Sequence, residues 1–214
     1  MERKTRTSGI RAVLFDFGGV VADEGFVEAM NLLAAKRGAD PLALINAAFE
    51  ASYEIGFSSG KVREESYWPL FASRTGIDEN TGRIKEEILS RYRLRPWMFG
   101  IVSRLKERGA LVCLLSDQSH WLDELNERMD FFRHFDHVFN SYNLGITKKD
   151  PAIFDLVLER IELRPEQALF VDDHLPHVRR ARGKGLRAIH FTKRDALLRD
   201  LAVFFPFLEE REQA

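Results

Sequence analysis

The sequence predicts a doubly wound α/β fold, a parallel sheet with helices on both faces, carrying a small all-helical insert. Three observations predict it. Five short apolar runs recur along the chain, helical patterns separate most of them, and one long stretch after the first run holds helical patterns alone.

The apolar runs are residues 10–15 (IRAVLF), 110–115 (ALVCLL), 137–139 (HVF), 168–171 (ALFV) and 187–191 (RAIHF). Continuous rather than alternating hydrophobicity suits strands buried on both faces. A helix is expected over 96–108, with Pro96 at its first position and Gly109 past its end. Asp150-Pro151 opens another, with Asp150 as N-cap and Ile153, Phe154, Val157, Leu158 and Ile161 on one face. Between residues 22 and 95 no strand is evident; helices are expected over 26–37, 40–53, 63–74 and 79–92. The expected division is therefore an α/β core of residues 1–21 and 96–214, with a helical cap domain of residues 22–95.

Composition excludes several classes. Among 214 residues, 45% are hydrophobic and 30% charged, an ordinary globular balance. With 32 Lys plus Arg against 33 Asp plus Glu the net charge is −1, which argues against nucleic acid as a partner. The basic cluster Arg179, Arg180, Arg182, Lys184 and Arg187 lacks interleaved aromatics and reads as a solvated face. Cys113 is the one cysteine, which rules out an intrachain disulfide or a cysteine-built zinc cage, and its apolar neighbours mark it as a buried thiol. No run is long enough to span a bilayer, and no leader-like stretch follows the basic segment MERKTRTSG, read as a tail. The expected compartment is cytoplasmic, with no membrane partner.

In an open α/β sheet the ligand site lies beyond the carboxyl ends of the strands. Asp16-Phe17-Gly18-Gly19 follows the first run, Ser116-Asp117 the second, Lys148-Lys149 the third across a loop from Gly145, and Asp172-Asp173 the fourth. Acids, a hydroxyl and a lysine thus meet at one edge. Hard carboxylate oxygens suit Mg²⁺, and crowded carboxylates repel unless a cation sits between them. A carboxylate can also act as the nucleophile, while Lys and Ser hold the charged oxygens of a transferred phosphoryl group.

These segments resemble the four motifs of the haloacid dehalogenase superfamily, in order. VLFDFGGVV resembles the first, LLSDQ the second, GITKKDPAIF the third and FVDDHLPHV the fourth. The helical insert after the first motif resembles that family's helical cap. FSSGKVREESYW within it is similar to a segment of sugar-phosphate phosphatases and of the phosphatase domain of bifunctional epoxide hydrolases. The resemblance implies a Rossmann-like core and a Mg²⁺-dependent phosphatase of small phosphorylated metabolites, sugar phosphates among them, working through an aspartyl-phosphate. It implies Asp16 as nucleophile and Lys148 as catalytic lysine. Ser116, Asp117, Gly18 and Gly19 would hold the phosphate, and Asp16, the Gly18 carbonyl, Asp172 and Asp173 the metal.

The chain departs from that pattern where it matters. Phosphatases of the family usually carry a second Asp two positions after the nucleophile, as general acid and base; here stands Gly18. The leaving group is then expected to need little protonation, as an anomeric, phenolic or acyl oxygen does. Lys149 replaces a proline, and His177 stands where the family has Asn or Asp, next to a second imidazole, His174. Two alternatives remain at this stage: carbon–halogen hydrolysis, and a binding or regulatory protein without turnover. Tyr53, Tyr67, Trp68 and Trp97 are candidates for substrate contact or for packing between helices.

Overall fold

The computed structural model describes residues 9–208. All but the last residue of the N-terminal segment read as a tail lies outside them. In chain order the elements are β1 (Ala12–Phe15), α1 (Gly25–Arg37), α2 (Pro41–Ile55), α3 (Glu64–Thr75), α4 (Thr81–Leu89), α5 (Pro96–Glu107), β2 (Leu111–Ser116), α6 (Trp121–Met129), β3 (His137–Asn140), α7 (Ser141–Leu144), α8 (Ala152–Arg160), β4 (Ala168–Asp172), α9 (Leu175–Gly183), β5 (Arg187–His190) and α10 (Arg194–Ala202).

The five strands form one parallel sheet in the order β3-β2-β1-β4-β5. The chain starts at the centre, runs to one edge, then crosses back to lay β4 beside β1. That reversal opens a crevice at the carboxyl ends of the strands. Register places Phe15 opposite Leu114 and Val171, so Asp16 and Asp172 emerge at one level and Ser116 one residue further along β2.

Alternate side chains of each strand serve opposite faces. Leu14, Cys113, Leu115 and Phe170 pack with Ile153, Phe154 and Val157 of α8. Val13, Phe15, Val112, Leu114, Leu169 and Val171 belong to the larger core that includes α5, α6 and α10. Both faces being covered is why the strands read as apolar runs. Burial pushes the Cys113 thiol up to about 12, so it is an inert part of the core.

Four helices, α1 to α4, occupy the stretch between β1 and α5, with α2 against both α1 and α3 and α1 against α4. Asp40 caps α2 through Leu42 N at 2.9 Å, with Pro41 at the first position. Expected helix 79–92 is shorter, running Thr81–Leu89, because the Asn80 side chain accepts from Arg83 N and starts the helix there. Asp150 accepts from Ala152 N at 2.9 Å, but the helix itself begins at Ala152. No helix among the described residues is long and apolar enough to cross a membrane.

Candidate active site

A cavity of about 420 Å³ lies between the strand ends and α1 to α3, lined among others by Asp16, Gly18, Glu24, Ser116, Asp117, Lys148 and Asp173. Of the sequence-predicted residues, Gly19 and Asp172 lie behind this lining and the others form part of it. Asp16 Oδ1 accepts from Phe17 N at 2.7 Å and lies 2.8 Å from Lys148 Nζ, while Oδ2 makes neither contact. Lys148 is 1% exposed and donates also to Asp172 Oδ2 at 2.7 Å. Asp172 Oδ1 accepts from His174 N at 2.7 Å, so both of its oxygens are engaged.

Burial governs the charges. It pushes Asp16 well above the ordinary carboxylate range; Lys148 opposes this, and Asp172 and Asp173 push further up. Asp172 is equally buried, yet Lys148 and His177 outweigh burial and hold it below that range. Burial works against the Lys148 charge, but Asp16 and Asp172 keep the ammonium protonated. Burial and the neighbouring Asp172 raise Asp173.

Carboxylate oxygens of Asp16, Asp172 and Asp173 lie within 4.8 Å of one another. Three hard-oxygen donors at that spacing, with Asp16 and Asp173 raised first by burial and then by their acidic neighbours, fit a Mg²⁺ ion. Gly19 makes room for this cluster. Its φ is +74°, and a Cβ there would lie 2.0 Å from Asp173 Oδ2.

The two lysines separate. Lys148 is inside; Lys149 Nζ sits 3.6 Å from the centroid of the Tyr53 ring at the cavity wall. Asp117 turns to its own chain, accepting from Lys148 N at 2.8 and 3.0 Å and from Tyr53 OH at 3.3 Å. It thereby fixes the loop that delivers Lys148. Ser116 is 3% exposed at the end of β2 and lines the cavity. His177 Nδ1 lies 3.4 Å from Asp172 Oδ2, and the His174 ring stacks edge-on against it. Burial lowers His174 to about 4. Of the aromatic candidates, Tyr53 and Tyr67 line the cavity. Trp68 packs on Trp121, and Trp97 stacks on Phe191 with Arg194 above it, away from the cavity.

Glu24 is the residue that sequence reasoning missed. It precedes α1 and lines the cavity, and burial, then Asp173, raises its carboxyl to about 7. No motif spacing points to it; the one signal was an acid a few residues after Gly18-Gly19.

Residues 10–182 match the model of the haloacid dehalogenase-like hydrolase family. The chain is 27% identical to bifunctional epoxide hydrolase 2 of Sus scrofa over 90% of its length, spanning 38% of that relative. It is 25% identical to sesquiterpene phosphatase astK of Aspergillus oryzae, covering 85% of this chain and 90% of that one. Among solved structures, a haloacid dehalogenase family enzyme of Bacteroides thetaiotaomicron, in complex with magnesium and inorganic phosphate, superposes with a TM-score of 0.67 at 18% identity, over 86% and 94% of the two chains. L-2-haloacid dehalogenase of Xanthobacter autotrophicus gives 0.64 at 17% identity, over 91% and 83%. With four motif segments gathered at the carboxyl end of a five-stranded parallel sheet and a family model matching most of its length, the chain belongs to the haloacid dehalogenase-like hydrolases.

Proposed function

We propose that the chain is a Mg²⁺-dependent phosphatase of small phosphorylated metabolites, with residues 22–95 acting as a cap over a core of residues 1–21 and 96–214. The observation that carries this is Lys148, held 2.8 Å from Asp16 and 2.7 Å from Asp172 beside a cluster of three carboxylates. The arrangement offers a nucleophile, a cation site and a fixed positive charge at one end of the cavity. Similarity to the sesquiterpene phosphatase supports the same chemistry.

Asp16 Oδ2, the oxygen not tied to Lys148 or Phe17 N–H, attacks phosphorus and forms an aspartyl-phosphate. Lys148 and Ser116 hold the phosphoryl oxygens, with Gly18 and Gly19 letting the backbone come close. Asp16, the Gly18 carbonyl and Asp173 would hold Mg²⁺, and Asp172, whose oxygens are spoken for, orients Lys148 behind them. When bound, Mg²⁺ offsets the charge that gathers on the phosphoryl oxygens. Water then cleaves the aspartyl-phosphate, and α1 to α3 shield the cavity meanwhile.

A panel of phosphorylated metabolites, assayed with Mg²⁺ and with EDTA, tests the reading. Hydrolysis that needs Mg²⁺ and vanishes in Asp16→Asn is expected. Hydrolysis of a 2-haloacid that survives EDTA would replace it with carbon–halogen chemistry. Absence of turnover on either class would leave a binding protein.

A further inference from the structure

Attack by Asp16 on an alkyl phosphate expels an alkoxide, which leaves slowly unless it is protonated as the bond breaks. Position 18 has no side chain for this. Most of the other carboxyl and ammonium groups around the cavity are committed or peripheral, with Lys149 over the Tyr53 ring at the wall. Lys148 is ion-paired, Asp117 accepts from Lys148 N–H and Tyr53 O–H, and Asp172 accepts from Lys148 and His174. Asp173 belongs to the carboxylate cluster, the His177 ring faces Asp172, and Glu50 and His174 are exposed at the rim.

Glu24 differs. Its carboxylate lines the cavity and takes part in no hydrogen bond or ion pair among the described residues. It also fills the volume that a side chain at position 18 would take. A Cβ on Gly18 would lie 1.8 Å from Glu24 Oε1 and 2.9 Å from its Cδ.

This placement is built by long-range contacts. Arg95 donates to the carbonyls of Gly19 and Val20 and, through Nε, to Asp23 Oδ1 at 3.0 Å. Asp23 N donates to Arg93 O at 2.9 Å, and Ala22 forms a bridge with Leu94. Gly25 is pressed against Tyr92, where a Cβ would lie 2.6 Å from the Tyr92 backbone nitrogen. Glu24 is thus fixed on both sides, with its side chain over Gly18.

We infer that Glu24 is the general acid and base of this site, supplying from the start of α1 the carboxyl group that position 18 lacks. The inference rests on the phosphatase reading. In the first step a bond forms between Asp16 Oδ2 and phosphorus while the ester P–O bond breaks. The leaving oxygen keeps that electron pair and takes the proton of the Glu24 carboxyl, giving a neutral alcohol. In the second step the oxygen of water bonds to phosphorus and the Asp16 O–P bond breaks. A proton of that water returns to the Glu24 carboxylate, leaving inorganic phosphate and restoring both acids. Alkyl phosphates then fall within reach, and the preference for easily expelled groups expected from Gly18 disappears.

The test compares first-turnover release of product from butyl phosphate and from 4-nitrophenyl phosphate, both with Mg²⁺. In Glu24→Gln the first turnover of butyl phosphate should fall by about 10²-fold or more, the usual worth of a positioned acid. The nitrophenolate burst should stay within about threefold, followed by a slow steady state, because water loses its base. Gly18→Asp combined with Glu24→Ala should recover butyl phosphate turnover relative to Glu24→Ala alone. This pair keeps the test sound even if one variant folds poorly. Wild-type turnover of both esters with equal losses in Glu24→Gln, or with no loss, overturns the role of Glu24 alone. A wild type that hydrolyses neither ester overturns the phosphatase reading, and this inference with it.

Discussion

The Lys148 ammonium lies 2.8 Å from Asp16 Oδ1, at 1% exposure in the wall of the cavity. Lys148→Ala removes the ammonium that contacts two buried acids. Breaking a buried ion pair in this way costs about 3–5 kcal/mol. Urea unfolding should show a loss of that order, and turnover should fall to background. A variant that keeps wild-type stability would mean that the acids are neutralised by other means.

Lys149 should behave differently. Its Nζ lies over the Tyr53 ring at the cavity wall, without contact to Asp16. Lys149→Ala is expected to raise KM roughly fivefold, as losing about 1 kcal/mol of attraction to an anionic substrate would. kcat should be unchanged. Steady-state kinetics of both lysine variants on one substrate separates anchoring from attraction.

Gly19 combines a φ of +74° with a carboxylate 2.0 Å from where its Cβ would stand. Gly19→Ala adds about 1–2 kcal/mol of backbone strain and pushes Asp173 from the cluster. The Mg²⁺ concentration for half-activation should rise roughly tenfold. A titration of activity against Mg²⁺, alongside a thermal melt, separates the two effects.

Glu64 on α3 joins α4 and α6 through Lys85 at 2.8 Å and Trp121 Nε1 at 2.9 Å, with His120 Nε2 at 3.0 Å. Burial works against its charge, but the hydrogen bonds from His120, Lys85 and Trp121 hold it at about 2, below the usual 4.5. A carboxyl depressed in the folded state stabilises it fully above pH 4.5, and that stabilisation is lost as pH falls from there to about 2. Tm should therefore drop between pH 5 and 3 more steeply for the wild type than for Glu64→Gln, as read by calorimetry across that range.

Much of this site was legible in the linear sequence. Asp16, Ser116 and Asp172 end or follow apolar runs, and a parallel sheet must present such positions together. The insert was legible because its helical periods lack any strand-like run. Which lysine enters was indicated by spacing, but what holds it there, Asp117 gripping the Lys148 N–H, is a tertiary contact. That both oxygens of Asp172 are taken up by Lys148 and His174 N–H, while Asp173 faces the cavity, was not legible either. Adjacent acids look alike in sequence, and only the neighbours of each distinguish them.

Glu24 marks the boundary most clearly. The sequence by itself determined the strands, the order of the motifs, the helical insert and the absence of a side chain at position 18. Those follow from hydrophobic period and residue type, which are local properties. The structure decided that Glu24 stands over Gly18, because Arg95 reaches back 72 residues to Asp23 and ties down the turn between them. It also decided the charges, since burial and the distance to Lys148 set each acid. Neither is encoded by spacing along the chain.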